Sequence, residues 1–284
     1  MFKKKKDQTY QSYWSISWNI FKKNKVAMVC LFIVILLCLI ALFAPLIAPY
    51  DPNKQVLTDR LMKPCGQHWF GTDDFSRIIY GCRVSLSVGI ISQIIATVIG
   101  YTMGVCAGYY GGKVDSVISF LIQVFSSFPF LLFAMAIMFV LGPGLINLYL
   151  ALGLLGWAST ARLIRGDVMR LKKMEYIDAC KVSGGNSFRI IMKHLLPNCL
   201  STLIVTVTLG IPNAIMSEAS LSFLGLGVKA PMASWGSMIS FSQPYIRSAT
   251  YYSVIPGLAI IITVLAFNML GDGLRDALDP KLRS

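Results

Sequence analysis

The sequence predicts an all-α membrane protein that crosses the bilayer six times, with both termini in the cytoplasm. Hydrophobic residues make up 55% of the 284 residues and charged residues only 14%, and the mean hydropathy is +0.64. The apolar residues form long uncharged runs, and the 26 Lys and Arg residues lie mainly between alternate runs. This composition is typical of membrane proteins rather than of soluble domains.

Six runs that contain no Asp, Glu, Lys, Arg or His supply the predicted spans. A helix of about 20 residues crosses the roughly 30 Å of hydrocarbon in a bilayer. The first run follows Lys22, Lys23 and Lys25 and is longer than the apolar region of about 7–15 residues in a secretory signal, so we expect a retained span. The predicted spans are residues 26–49, 84–107, 116–141, 145–161, 199–217 and 252–271.

The distribution of Lys and Arg sets the orientation, because cytoplasmic loops of membrane proteins carry the excess of these residues. Basic residues are dense before span one and between spans four and five. The segments on the opposite side hold only Lys54, Arg60, Lys63, Arg77, Arg83, Lys229 and Arg247. Since an even number of spans returns the chain to its starting side, we expect an N-in, C-in topology. Two external loops, residues 50–83 and 218–251, are long enough to fold over the membrane surface.

Glycine and proline positions predict how the spans pack. Gly100, Gly104 and Gly108 recur at intervals of four, which puts them on one helix face; ordinary close helix packing is the preferred interpretation, with a specific subunit contact as the alternative. Pro129 and Pro212 lie inside spans three and five and are expected to kink their helices, with a role in a transport pathway as a second interpretation.

The sequence also excludes several functions. Ion-coupled carriers keep ionisable residues near the membrane midplane, and none lies in the six runs. No HExxH or GxSxG motif occurs, and His68 and His194 are far apart, so neither an intramembrane hydrolase nor a metal site is predicted. Residues 108–114 lack the spacing of a phosphate-binding loop. The net charge is +13, but the basic residues lie between apolar runs rather than on one face. This distribution argues against a nucleic-acid-binding protein. Uphill transport would therefore draw its energy from a partner.

A polar insert, residues 162–198, separates spans four and five on the predicted cytoplasmic side. Glu175 and Asp178 occupy what would be the first turn of a helix, where the helix dipole favours acids. Residues 183–186, Ser-Gly-Gly-Asn, predict a helix stop and a sharp turn, and a second short helix over 187–195 runs to Pro197. Tyr176 and Ile177 are candidate apolar anchors. The alternative is an amphipathic helix that rests on the lipid headgroups.

This insert resembles the coupling motif of bacterial ABC importer permeases: Glu-Ala-Ala, three residues, Gly, nine residues, Ile-x-Leu-Pro. The matching residues are Asp178, Ala179, Cys180, Gly184, Leu196 and Pro197. The chain departs from the motif with Asp for Glu, Cys for the second Ala, and His194 for Ile, and the His-x-Leu-Pro-Asn ending resembles the peptide-transporting branch. Residues 68–89, 217–239 and 268–284 resemble other segments of that branch, although a short Leu-Gly-Arg-Asp segment is missing between Asp74 and Phe75.

The resemblance covers nearly the whole chain and implies the second permease subunit of an oligopeptide, dipeptide or nickel importer. It implies a heterodimer with a sister permease, two ABC ATPase subunits, an extracytoplasmic solute-binding protein, and a multi-pass location in the bacterial plasma or inner membrane. The chain itself is expected to be no enzyme and to bind no cofactor or metal, with ATP and Mg held by the partner ATPases. The expected divisions are a cytoplasmic segment and first span (1–52), an external loop (53–82), the permease transmembrane domain (83–276) and a cytoplasmic tail (277–284).

The resemblance also implies roles for particular residues. The coupling helix that docks on the ATPase comprises Glu175, Tyr176, Asp178, Ala179, Cys180 and Gly184. The external loop and gate comprise Glu218, Leu221, Phe223, Gly225, Pro231 and Trp235. For Glu218, a solvated helix end and packing within the loop are equally favoured alternatives. The polar or helix-breaking residues of the spans make Ser126, Ser127, Pro129 and Asn213 the pathway candidates.

Two alternatives remain open at this stage. The same machinery would import nickel or a metal chelate if the binding protein selected one, although no ligand cluster in this sequence favours a metal. A protein of another class, a membrane channel or scaffold without ATPase partners, would use the insert as a lipid or partner anchor. Copurification with ATPases through residues 175–184 distinguishes a permease from a channel, which would conduct alone.

Overall fold

The computed structural model describes residues 13–48 and 74–279, and every regular element in these two ranges is a helix. The α-helices are α1 (Tyr13–Lys23), α2 (Lys25–Leu42), α3 (Ala44–Ile47), α4 (Asp74–Tyr110), α5 (Gly112–Ser127), α6 (Phe130–Leu141), α7 (Leu145–Leu171), α8 (Glu175–Val182), α9 (Ser187–Ile190), α10 (Leu196–Phe223), α11 (Trp235–Ser242) and α12 (Tyr251–Leu278). Most of the first predicted external loop, 50–83, lies outside the described residues.

Four helical segments in the described ranges are long and apolar enough to cross a membrane: α2, α4, the run from α9 through α10, and α12. Helices α5 and α6 make a fifth span if they are counted as one bent element. The predicted span 145–161 forms the first part of α7, which is not among these segments. Helix α7 is buried at positions along most of its length, from Leu148 to Leu171. Because protein rather than lipid surrounds much of it, this helix tolerates more polar and small residues than the others.

The kink predicted at Pro129 is confirmed, and it divides the run 116–141 into two helices. Helix α5 ends at Ser127, Phe128 is extended with φ −92° and ψ 139°, and Pro129 caps the start of α6. The two helices meet at 89°. Proline disfavours the helical conformation in the residue before it, which explains why the break falls at Phe128. Pro212, in contrast, lies inside α10, which continues past it.

The glycines of span two allow α4 and α7 to pack in close contact. A Cβ atom on Gly100 would lie 2.6 Å from the Thr160 Cβ, and one on Gly104 would lie 2.7 Å from the Ala161 carbonyl oxygen. A Cβ atom on Gly108 would lie 2.8 Å from the Val168 side chain. Real Cβ atoms do not approach their neighbours so closely, so the predicted role of these glycines in helix packing is confirmed.

Span five and the short helix before it form one continuous helical segment. A π-helical turn, Ile191–Leu195, joins α9 to α10, and Pro197 lies in the first turn of α10. Proline has no backbone N–H to continue the regular bonding pattern, and a wider turn at this point accommodates the interruption. Residues Ser187–Phe223 therefore form one helical run from the start of α9 to the end of α10.

The beginning and the end of the described chain lie together at one end of the helix bundle. Asn24 caps α2 by accepting a hydrogen bond from the Ala27 N–H at 3.1 Å. A Cβ atom on Gly273 of α12 would lie 2.4 Å from the Ala27 Cβ, and Phe21 is buried beside it. The start of α2 and the last turns of α12 are thus packed against each other.

Candidate functional site

A helical hairpin occupies the position of the polar insert between α7 and α10. Helix α8 ends where Gly184 takes the left-handed conformation, at φ +81°, which glycine adopts at little cost. The Gly185 N–H donates to the Cys180 carbonyl at 2.9 Å, and the Gly184 N–H donates to the Lys181 carbonyl at 3.0 Å. This pair of bonds is the Schellman arrangement, so the predicted helix and sharp turn are confirmed.

The hairpin is fixed to the rest of the molecule through its inner face. Ile177 is completely buried, in one cluster with Val168 of α7 and Leu195 before α10. Asn186 caps the second arm by accepting a hydrogen bond from the Arg189 N–H at 2.8 Å. Ile177, predicted as an apolar anchor, therefore anchors the hairpin to its own protein. The helix and turn are held as one unit with α7 and α10.

The outer face of the hairpin is exposed and partly apolar. Val182 is 90% exposed and Phe188 is 72% exposed. Cys180 faces inward instead: a Cβ on Gly185 would lie 2.6 Å from its sulfur, so the side chain packs beneath the turn. The predicted coupling residues on the exposed side are Glu175, Tyr176, Asp178, Ala179 and Gly184. Among them, Asp178 accepts a hydrogen bond from Lys181 at 2.8 Å.

Polar contacts tie the end of α7 that leads into the hairpin to two other helices. Arg165 makes a two-point contact with Asp115 of α5, in which Nη2 lies 2.7 Å from Oδ2. Thr202 of α10 donates to Asp167 at 2.5 Å. The sequence offered no signal for these pairs, because their members are 50 and 35 residues apart. A displacement of the hairpin would therefore reach α5 and α10 as well as α7.

A cavity of about 940 Å³ lies between α4, α6, α7, α10 and α12. One wall is a face of α10 that extends from Ser201 to Ser220. The cavity is lined by Ser92, Gln93, Phe130, Leu131, Leu152, Gly156, Ser159, Thr160, Leu163, Ser201, Thr202, Val205, Thr206, Leu209, Gly210, Asn213, Ala214, Met216, Ser217, Ser220, Arg275, Leu278 and Asp279.

The structure separates the four pathway candidates. Asn213 lines the cavity, whereas Ser126, Ser127 and Pro129 do not. Ser126 accepts a hydrogen bond from Arg162 at 2.9 Å, and Ser127 donates to a carbonyl of its own helix. These three residues lie at the bend between α5 and α6. Sequence reasoning missed the hydroxyl residues of α10 that share the cavity with Asn213, although their spacing along the helix was a usable signal.

Glu218 is completely buried, so the interpretation as a solvated helix end is wrong and the packed alternative is confirmed. Its carboxylate accepts hydrogen bonds from Ser85 of α4 at 3.1 Å and from Ser222 at 2.6 Å. Ser85 also accepts from the Trp235 N–H at 3.2 Å, and the Trp235 indole donates to the Ile78 carbonyl at 3.1 Å. A buried carboxylate needs such donors, and here they join α4, α10 and α11.

The apolar start of the second predicted external loop is only partly exposed. Leu221 is completely buried, whereas Phe223 is 45% exposed. Gly225 adopts a left-handed conformation at φ +81°, and Pro231 follows a cis peptide bond in the segment before α11. The buried side chains of Leu221 and Trp235 thus anchor the chain on either side of the loop.

Family comparisons agree with this geometry. Residues 97–284 match the model of the binding-protein-dependent transport system inner membrane component. Residues 12–64 match the N-terminal transmembrane domain of oligopeptide transport permease C.

Named relatives cover nearly the whole chain. The dipeptide transport system permease protein DppC of Bacillus subtilis (strain 168) is 45% identical over 96% of this chain and 87% of that protein. The oligopeptide permease protein OppC of the same organism is 40% identical over 96% and 91%. The glutathione permease protein GsiD of Pectobacterium atrosepticum is 40% identical over 98% and 95%.

A solved structure shares the fold. A chain of the inward-facing MetNI methionine ABC transporter superposes with a TM-score of 0.60 at 19% identity, over 74% of this chain and all of that one. The arrangement of helices is therefore that of an ABC permease. Together with the match over residues 97–284 and the identities to full-length relatives, this shows that the chain belongs to the family of binding-protein-dependent transport system inner membrane components.

Proposed function

We propose that this chain is the integral-membrane permease subunit of an ATP-driven, binding-protein-dependent importer of peptides. The observation that carries the proposal is the hairpin, which is fixed to α7 and α10 from within and exposes Val182 and Phe188 outward. Such a surface suits a docking partner, and the family supplies one in the ATPase. The peptide class follows from the relatives, which are named for dipeptide, oligopeptide and glutathione transport.

The proposed topology has six spans with both termini in the cytoplasm. It rests on the distribution of Lys and Arg and on the packing of the start of α2 against the end of α12. Helix α7 is the span that protein shields from lipid, and α5 with α6 forms a single broken span. The chain would lie in the bacterial plasma or inner membrane beside a sister permease in a heterodimer.

The proposed energy source lies on partners. Two ABC ATPase subunits bind ATP and Mg, and this chain binds neither and is no enzyme itself. ATP-driven closure of the ATPases moves the docked hairpin, and the buried Ile177 cluster passes that movement to α7 and α10. The contacts of Arg165 with Asp115 and of Asp167 with Thr202 extend it to the cavity walls. Transport then follows from a two-state arrangement whose equilibrium ATP biases.

The solute path and the external loop complete the proposal. We assign the cavity beside Asn213 to the path, with Ser126, Ser127 and Pro129 at the bend that borders it. The loop that carries Glu218, Leu221, Phe223, Gly225, Pro231 and Trp235 would meet the solute-binding protein. Nickel or a metal chelate is the alternative cargo. In the described part of the chain, no group of three His, Cys, Asp or Glu residues could hold a metal ion.

Reversing one charge on the exposed hairpin tests the function. Asp178→Lys should abolish peptide uptake in vesicles that contain all subunits, because the altered surface no longer docks on the ATPase. The chain should still insert, since Asp178 is exposed and its single ion pair lies within its own helix. Asp272→Lys, at another exposed acid, is the matched control and should transport normally. Normal uptake by Asp178→Lys with full ATPase coupling would refute the docking assignment.

A further inference from the structure

The cavity wall formed by α10 is long enough to cross the hydrocarbon. It extends from Ser201 to Ser220, and a helix rises about 1.5 Å per residue, so the lined face covers roughly 28 Å. The hydrocarbon core of a bilayer is about 30 Å thick. A solute that crosses beside α10 would therefore contact this face across almost the whole thickness of the hydrocarbon.

Three hydroxyl groups on this face donate their only hydrogens to carbonyls of the same helix. Thr206 donates to the Thr202 carbonyl at 2.7 Å, Ser217 to the Asn213 carbonyl at 2.8 Å, and Ser220 to the Met216 carbonyl at 2.8 Å. A carbonyl oxygen can only accept, so the direction of each bond is certain. Since a hydroxyl has one hydrogen and two lone pairs, each of these groups in this arrangement offers a lone pair as an acceptor to a solute.

Thr202, at the hairpin end of the same face, follows the same rule. Its hydroxyl donates to the carboxylate of Asp167 at 2.5 Å, so it too can only accept from the cavity. Asn213 donates one of its two N–H groups to the Leu209 carbonyl at 3.1 Å. Its second N–H and its side-chain oxygen make no hydrogen bond within the described chain, so Asn213 offers the cavity one donor and an acceptor. Acceptors therefore recur from one end of the face to the other.

The remaining walls of the cavity are almost entirely uncharged. Arg275 and Asp279 are the charged residues among those that line the cavity, and both belong to the end of α12. Ser92 of α4 is buried, and its hydroxyl has no hydrogen-bond partner among the described residues. Gln93 donates to Thr97 of its own helix at 3.3 Å. Apart from Arg275 and Asp279, the cavity is thus lined by uncharged residues, and the acceptors described above lie on its α10 face.

We propose that this face of α10 is a ladder of acceptors for the N–H groups of a peptide in transit. A peptide chain presents backbone N–H groups and an α-ammonium group, and each can donate to the lone pairs of Thr206, Ser217 and Ser220. Carboxylates and other oxyanions receive no hydrogen from these hydroxyls. The inference rests on the proposed import function and deepens it, because it names the groups of the peptide that the path recognises.

The test removes acceptors from the cavity face and leaves a matched hydroxyl elsewhere on the helix. Thr206→Val combined with Ser217→Ala deletes two acceptors with little change of volume. Thr208→Val is the control, because Thr208 makes the same bond to its own helix, to the Ile204 carbonyl at 2.8 Å, but does not line the cavity. Each variant is assembled with the sister permease, the ATPases and the binding protein in proteoliposomes.

The readout is import of trialanine compared with an analogue whose backbone nitrogens are methylated, both at concentrations that saturate the binding protein. The wild type and Thr208→Val should import trialanine faster than the analogue. The double variant should import trialanine about fivefold more slowly, as expected from the loss of one or two net hydrogen bonds, and should lose this discrimination. ATP hydrolysis stimulated by the loaded binding protein should stay at the wild-type level, which shows that the variant is folded and coupled.

Two results would overturn the inference while leaving the proposed function standing. One is a double variant that imports and discriminates like the wild type. The other is an equal loss in Thr208→Val, which would trace the effect to the helix instead of the cavity. If the wild-type complex imports neither peptide despite ATP hydrolysis, the proposed peptide function itself fails and the acceptor ladder fails with it.

Discussion

Single glycine positions decide how close α4 comes to α7. The neighbouring backbone leaves no room for a side chain on Gly104, since a Cβ would lie 2.7 Å from the Ala161 carbonyl oxygen. Gly166, on α7, is different: a Cβ there would meet no atom within 4 Å. Two glycines in helices of the same bundle therefore have opposite tolerances for a single methyl group.

We predict that Gly104→Ala lowers the free energy of unfolding by about 1–3 kcal/mol, which is the usual cost of overpacking a tight core. Gly166→Ala should be neutral or slightly stabilising, because alanine is the better helix former. Thermal unfolding of the purified subunit in detergent measures both variants. Equal stability of the two would mean that α4 and α7 are not in close contact at Gly104.

At the scale of elements, the hairpin combines a buried inner face with an exposed outer face. Ile177 is completely buried in the cluster it shares with α7 and α10, whereas Val182 is 90% exposed. The two apolar residues lie five positions apart in α8. The inner residue stabilises the hairpin, and under the proposed function the outer residue contacts the ATPase.

Substitutions at these two positions should therefore have separable effects. Ile177→Ala should destabilise the subunit by about 2–5 kcal/mol, because it leaves a cavity in a packed core. Val182→Asp should leave the unfolding temperature unchanged, because the side chain is almost fully exposed, and should weaken ATPase binding. Thermal unfolding and copurification with the ATPase distinguish the two. If Val182→Asp unfolded early, or copurified at the wild-type level, the division of the two faces would be wrong.

For the whole molecule, the polar contacts at the end of α7 join elements that are far apart in sequence. Arg165 reaches α5 and Asp167 reaches α10, so the hairpin, the bend at Pro129 and the cavity wall belong to one connected structure. Under the proposed function, the movement of the ATPases reaches α5, α7 and α10 through these contacts.

We accordingly expect the purified subunit alone in liposomes to conduct no peptide and no ions, with or without ATP. The complete complex should import peptide and hydrolyse ATP together. Fluorescent peptide uptake and single-channel recording are measured on the isolated subunit and on the complete complex. Conduction by the isolated subunit would favour the channel alternative over the permease.

Local sequence determined much of the fold and the hairpin. The long uncharged runs required helices, since only internally bonded backbone is stable in lipid. The Ser-Gly-Gly-Asn segment determined the stop at Gly184, because a left-handed residue is cheap only for glycine. Pro129 likewise predicted the break that falls at Phe128. These features depend on neighbours within a few residues, and for that reason the sequence alone could predict them.

Only the tertiary structure decided which side chains meet. It buried Glu218 against Ser85, 133 residues away, turned Ile177 inward to hold the hairpin, and left Ser126 and Ser127 outside the cavity that Asn213 lines. It also set the angle of 89° between α5 and α6 and buried α7 at positions along most of its length. The physical reason is that contacts between distant helices depend on their relative positions and rotations. Those are set by packing over the whole bundle, and no short stretch of sequence encodes them.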